Sequence, residues 1–143
     1  MSIMSFNGKY NFLSNMYPTL IKVNNEVYPS AEHAFQAMKS LDPDVRLAMS
    51  LCRSPEEAKQ AGKLVTLRSD WEEVKVEVMH SIVRAKFSNN ELAQKLLATG
   101  QEDLIEGNTW KDTFWGVCNG KGKNMLGRIL MDVRKEITNE YSS

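Results

Sequence analysis

Apolar residues in this chain recur mostly at helical spacing, with exceptions near its start and in one late irregular stretch. Leu20-Ile21-Lys22-Val23, Asn24-Asn25 and Glu26-Val27-Tyr28 read as a short hairpin, because asparagine tolerates the positive φ that a two-residue turn requires. The aromatic-rich segment before it, Phe6 to Leu13, reads as a first β run. After Tyr28 the signals become helical. Ser30 fits an N-cap, Asp42-Pro43 gives a cap with proline in the first turn, and Ser54 with Glu57 forms a capping box stopped by Gly62. The longest helix should start at Asp70, with Glu73 as its box partner and Trp71, Val74, Val78, Ile82 and Ala85 as its apolar stripe. Ser88-Asn89-Asn90 breaks it, and Leu92, Leu96 and Leu97 mark a shorter helix ending at Gly100. A last helix runs from about Asn124 to Thr138, with Leu126, Ile129, Leu130, Val133 and Ile137 on one face. Gly127 inside it costs about 1 kcal/mol against Ala, so close backbone packing is expected there. Met125 and Met131 read as core gap-fillers. The pattern predicts one mainly α domain over residues 1–143 with a small N-terminal β-hairpin.

Composition narrows the function classes. Lys+Arg and Asp+Glu number 18 each, which gives no whole-molecule electrostatic grip on nucleic acid or an anionic membrane. A local basic patch stays open. Cys52 and Cys118 have no metal-site spacing and read as reduced thiols of a cytoplasmic protein. The N-terminus lacks a signal peptide's charged and apolar regions, and no apolar run approaches the ~20 residues of a membrane span. His33 and His80 are the only histidines, so neither a metal nor another cofactor is expected.

Four clusters carry chemistry. In Ser30 to Lys39, Glu32, Gln36 and Lys39 stand at i, i+4 and i+7 and share one helix face. The plain reading is a solvated face, with Phe35 and Met38 packing opposite. Yet Glu32 lies in the first turn, where the macrodipole favours a carboxylate. Lining a cleft, it would be ionised and suited to orienting water or stabilising positive charge, while His33 reads as a structural hydrogen-bonder. The second cluster, Glu106 to Gly116, interleaves two carboxylates with Trp110, Phe114 and Trp115 in a segment without helical period. Aromatics pack a base or sugar, and carboxylates stabilise an oxocarbenium-like centre or activate water. Equally, Phe114 and Trp115 would anchor a loop while Asp112 satisfies backbone N–H groups. The third, Asn119-Gly120-Lys121-Gly122-Lys123-Asn124, reads as a phosphate cradle before the last helix, or as a plain turn. It is not a Walker A loop. The fourth, Asn11-Phe12-Leu13-Ser14-Asn15, leaves the first β run, with Asn15 placed either to read a ribose hydroxyl or simply to turn the chain.

Taken in order, these clusters resemble the NADAR family (NAD- and ADP-ribose-associated domains, including YbiA-like N-glycosidases). The matching stretches are Phe12-Leu13-Ser14-Asn15, Tyr28-Pro29-Ser30-Ala31-Glu32-His33 running on to Gln36 and Lys39, Asp70-Trp71, and Lys86-Phe87. Leu96 to Thr99, Glu106, Asp112, Trp115-Gly116, Gly120 to Asn124, Leu126-Gly127 and Leu130-Met131 with Arg134 follow, so the resemblance spans Phe6 to Ile137. It implies a mainly helical fold and hydrolysis of the N-glycosidic bond at C1 of a phosphorylated ribose. The implied substrate is a small-molecule ribosylaminopyrimidine phosphate of riboflavin biosynthesis, or ADP-ribosylated guanine in DNA. Carried to matching positions, the resemblance implies Glu32 as catalytic with Asp112 second. It implies ligand binding by Asn15, Gln36, Lys39, Glu106, Trp115, Gly120, Lys121, Gly122, Lys123 and Asn124. Val117-Cys118 departs from a more polar, Gly-rich stretch in YbiA-like members and is expected to narrow or dry a pocket rim.

The expected mechanism docks the phosphate on Lys121, Lys123 and backbone N–H groups, packs Trp115 on base or sugar, and has ionised Glu32 serve an oxocarbenium-like state. A Schiff base from Lys39 or Lys86 to the opened ribose is a second route. The rivals are a non-catalytic ADP-ribose or NAD-binding module and a structural partner protein. Sequence leaves the oligomeric state open.

Overall fold

Ten elements and one tight helical turn make up the chain, as seen in a computed structural model that describes residues 1–142. In order these are β1 (Ser2–Ile3), a 3-10 helix (Gly8–Leu13), β2 (Pro18–Val23), β3 (Glu26–Ser30), α1 (Ala31–Ala37) and α2 (Pro43–Ser50). Then come α3 (Pro55–Gly62), α4 (Trp71–Lys86), α5 (Asn90–Ala98), β4 (Asp103–Leu104) and α6 (Met125–Ser142). The architecture is mainly α with two small two-stranded sheets. The chain forms two compact units, one of Asn15–Lys86 and one of Met1–Ser14 with the chain from Phe87 onward.

In the first unit, β2 and β3 form the expected antiparallel hairpin, with Ile21 opposite Tyr28 and Val23 opposite Glu26. Its turn residues Asn24 and Asn25 have φ of 52° and 64°, which a two-residue turn needs and asparagine supplies. The hairpin runs straight into α1, whose N-cap Ser30 accepts from the His33 N–H. All seven α1 residues are buried, against α2, α3, α4 and both strands. A polar helix face was one reading of this segment; instead α1 is the central strut of its unit. Asp42 and Ser54 cap α2 and α3 as expected, each with proline in the first turn. At Ser54 the box is half formed, since the Glu57 carboxylate takes the Arg53 N–H rather than that of Ser54. Ahead of α4, the Asp70 carboxylate takes the Arg68 guanidinium in two bonds of 2.6 and 3.1 Å, and its carbonyl accepts from Glu73 and Val74. Trp71 is core, its ring 5.1 Å from that of Phe35.

In the second unit, β1 and β4 pair in parallel, Ser2 with Asp103 and Ile3 with Leu104. The segment read as a first β run is instead the 3-10 helix, with Tyr10 N–H bonded to Asn7 O and Ser14 N–H to Asn11 O. Its Phe12 and Leu13 are buried. The i to i+3 bonds turn these two side chains inward together, where a strand would have sent them to opposite faces. Asn89 caps α5, and Gly100 closes it at φ 64°. Helix α6 packs on α5 and β4 and extends past Thr138, whose hydroxyl bonds back to Arg134 O. Gly127 has the predicted tight contact, since a Cβ there would meet Leu104 O and the Asn124 side chain. Met125 and Met131 are only half-buried, so they edge the core rather than fill it. No helix among the described residues is long and apolar enough to cross a membrane.

Candidate active site

The first unit holds Asn15, Glu32, Gln36, Lys39, Lys59 and Lys86, with Lys39 and Lys59 near enough to Glu32 to act on its charge. Glu32 opens α1, and its N–H bonds to Asn15 O at 3.0 Å, so Asn15 contributes its backbone to the helix start. The Asn15 side chain donates to Met79 Sδ at 3.5 Å. One turn on, Gln36 Nε2 donates to Glu32 Oε2 at 2.7 Å, the i, i+4 contact foreseen on this face. Glu32 is 8% and Gln36 5% exposed, which puts a carboxyl and a carboxamide together inside the unit.

Burial raises the Glu32 pKa above the ordinary carboxylate value, because a low-dielectric site disfavours the anion. The Gln36 hydrogen bond and the positive charges of Lys59 and Lys39 oppose that rise without cancelling it. Burial thus works against the ionised Glu32 expected at the helix start, where the macrodipole would favour a carboxylate. Lys39 is half-buried and its pKa is lowered by that burial, with Glu32 pulling the other way. His33 is structural, as read. Its Nε2 lies 3.0 Å from Cys52 O, which can only accept, so Nε2 carries the hydrogen and Nδ1 takes the Ser30 hydroxyl at 2.7 Å.

Lys86 closes α4 at 2% exposure, with Nζ 5.7 Å from the centre of the Tyr17 ring. Burial pushes its pKa down to about 7. A large share of such a lysine is an uncharged amine near neutrality, the form that attacks carbonyls.

The second unit holds Glu106, Asp112, Trp115 and the loop from Gly120 to Asn124. Their hydrogen bonds knit the segment to itself. Asn108, which its residue type does not single out, is the residue that joins them. Its Nδ2 donates to Glu106 Oε2 at 3.0 Å and to Asp112 O at 2.9 Å, and its Oδ1 accepts from Asp112 N. Asp112 Oδ1 takes the N–H groups of Phe114 and Trp115 at 3.1 and 2.9 Å. That is the structural alternative weighed for Asp112, and it fixes the two rings edge to face, 4.8 Å apart. Asn124, with φ 54°, accepts from Glu106 N and donates to Leu104 O, both at 2.9 Å. Gly116 lies so close to Glu106 and Asn108 that any side chain there would collide with them.

The Gly-Lys loop differs from the expected cradle in one respect. The N–H groups of Lys121, Lys123, Asn124, Met125 and Leu126 already donate to Cys118, Thr113, Gly116, Phe114 and Trp115 carbonyls. Carbonyls of residues 114–116 therefore cap α6, and these five N–H groups are not turned to an anion. The Asn119-Gly120 turn, with φ 54° and 75°, reverses the chain between Cys118 and Lys121. Lys121 and Lys123 offer exposed side chains, the latter with its ammonium 5.6 Å from the Phe114 ring centre. Val117 pairs its backbone with Glu106 and Asn108, and Cys118 is buried at 7% exposure rather than placed at a rim.

Comparison with known proteins agrees with the resemblance read from the motifs. A family model, the NADAR domain, matches residues 4–138. A riboflavin biosynthesis protein of Vibrio vulnificus is 47% identical over 135 residues, covering 90% of this chain. This chain spans only 36% of that relative's length. The N-glycosidase YbiA of Escherichia coli is 40% identical over 140 residues, covering 95% of this chain and 87% of its own. The NMR structure of E. coli YbiA superposes with a TM-score of 0.87 and 38% identity, over all of this chain and 87% of that one.

Proposed function

This chain belongs to the NADAR domain family, and from that premise we propose that it hydrolyses the N-glycosidic bond between a phosphorylated ribose and a nitrogen base. The observation that carries the reading is Glu32, a buried carboxyl with a raised pKa, hydrogen-bonded along its own helix to Gln36. Breaking the C1–N bond leaves a basic nitrogen that needs a proton and an oxocarbenium-like carbon that needs a hydroxyl. Glu32 held as the acid gives its proton to the departing nitrogen. The resulting carboxylate stabilises the cationic carbon and takes a proton from the water that attacks C1. The products are the free base and a ribose with a hydroxyl at C1, and the proton count closes.

The proposed substrate is a ribosylaminopyrimidine phosphate, because a relative of this chain is named for riboflavin biosynthesis. ADP-ribosylated guanine presents the same bond and is the second candidate. In the loop unit, the Trp115 ring and the Lys121 and Lys123 side chains are the proposed ligand contacts, with Asp112 and Asn108 holding that loop in shape. Product analysis by mass spectrometry on both substrates tests the reading. Ribose 5-phosphate or ADP-ribose released with free base supports it. Binding without product on long incubation turns the protein into an ADP-ribose-recognising module.

A second route has its own observation in Lys86, whose burial lowers its pKa to about 7 and leaves a substantial share of the amine uncharged near neutrality. There the ribose ring opens, Nζ displaces the base from C1 as an imine, and water hydrolyses that imine to release the sugar aldehyde. Borohydride during turnover would fix the sugar to Lys86 as a stable mass increment. Turnover with no adduct removes this route.

A further inference from the structure

The carboxamide of Gln36 sits between two neighbours. Its Nε2 donates to Glu32 Oε2, while its Oε1 is fully buried and has no hydrogen-bond partner. A buried carbonyl in that state is held by packing, since rotation in search of a donor would recover a lost hydrogen bond. The packing comes from α3. A Cβ built on Gly62 would fall on Gln36 Oε1 and Cδ, and the three nearest atoms to that Cβ all belong to Gln36. Gly62 ends α3 without a positive φ, so alanine suits its backbone and is the better helix former. Glycine at this position serves the space next to Gln36.

We propose that Gln36 and Gly62 are positioning residues for Glu32: the Gln36 amide occupies Glu32 Oε2, leaving Oε1 as the oxygen that bears and delivers the proton, and the missing side chain at Gly62 keeps that amide in place. This rests on the reading of Glu32 as the acid. The sequence showed Gly62 only as a helix stop, and its contact with Gln36 joins two helices that local patterns do not connect.

The test pairs an assay with a titration. In ¹³C-glutamate-labelled protein, the Glu32 carboxyl midpoint should move upward in both Gln36→Met and Gly62→Ala, because the Gln36 hydrogen bond favours the carboxylate. On the ribosylaminopyrimidine phosphate, both variants should lose roughly 10–10²-fold in kcat with KM nearly unchanged, the scale of a misplaced reacting group. The Gly62→Ala effect should vanish in a Gln36→Ala background, where nothing remains for the new methyl to strike. If Gly62→Ala alone does not fold, folding restored by adding Gln36→Ala demonstrates the same coupling. A Gly62→Ala penalty that is equal with and without the Gln36 side chain overturns the inference, as does a wild-type midpoint and kcat in both single variants. Glu32→Gln separates the two levels. An inactive Glu32→Gln beside unshifted Gln36 and Gly62 variants sinks the positioning inference alone. A fully active Glu32→Gln sinks the acid reading, and the delivery role with it.

Discussion

Helix α1 and the loop from Leu104 to Asn124 are both rich in polar residues, yet they treat them in opposite ways. In the loop, four polar side chains are committed to holding the loop together: Asn108 binds Glu106 and Asp112, Asp112 caps two N–H groups, and Asn124 clamps two backbone positions. In α1 a carboxyl is buried with one short hydrogen bond, and its pKa is driven up rather than stabilised down. A polar group that shapes a loop is satisfied by its neighbours. One that is buried at a cost to its preferred charge state is a candidate functional position. On the proposed function, the contrast assigns the acid-base chemistry to α1 and a shaping role to the loop.

The sharpest way to break that contrast is Glu32→Gln. It should lower kcat by about 10²–10⁴-fold, the usual loss on removing an acid-base group. It should also raise the melting temperature at mildly alkaline pH. A carboxyl whose folded pKa lies above its unfolded value near 4.5 stabilises fully below that value, and the contribution is lost as pH rises through the folded pKa. The stability gain in Glu32→Gln should therefore be absent below 4.5 and appear above it. A variant that is slower but no more stable at any pH would mean that Glu32 is not paying for its burial.

The loop should answer differently. Asn108→Ala removes the bonds that tie Glu106 to Asp112 and should cost about 1–3 kcal/mol of stability, read by thermal or denaturant unfolding. Asp112→Asn keeps an acceptor for the Phe114 and Trp115 N–H groups and should change kcat less than about tenfold. A collapse in kcat with an intact fold would restore Asp112 to the chemistry and erase the contrast.

Much of this was readable from sequence where the cause is local. The Asn24-Asn25 turn and the caps Ser30, Asp42 and Ser54 are chemistry between neighbours, and each appears where the residues place it. The 3-10 helix resembles a strand in sequence because Phe6, Tyr10 and Phe12 sit at even positions and mimic strand alternation. Strand β1 is two residues long and exists only through β4, a hundred positions away, which no local pattern announces. At the site, the i, i+4 spacing of Glu32 and Gln36 was legible. The burial of that face was not, because it is imposed by α2, α3, α4 and the hairpin together. The opposite failure occurred in the Gly-Lys loop, where residue types suited to anions had their backbone donors taken by distant carbonyls.

Smaller effects sharpen the comparison. Lys86 has a folded pKa of about 7 against an unfolded 10.5, so the unfolded chain binds more protons between those values and stability rises with pH there. Lys86→Met should stabilise most below pH 7 and lose its advantage toward 10.5, followed by thermal melts across that range. Lys121→Ala and Lys123→Ala should raise KM only a few-fold with kcat unchanged, since exposed charges contribute about 1 kcal/mol or less each.

The most direct test of the account is the pH dependence of kcat set beside the NMR titration of the Glu32 carboxyl in protein saturated with a non-hydrolysable substrate analogue, since kcat reports groups of the bound complex. A buried acid that must donate predicts that kcat falls as pH rises through the Glu32 midpoint, with the alkaline limb and the titration coinciding. A kcat that instead climbs through that midpoint would show Glu32 working as a carboxylate, and the reading of α1 as the proton source would be wrong.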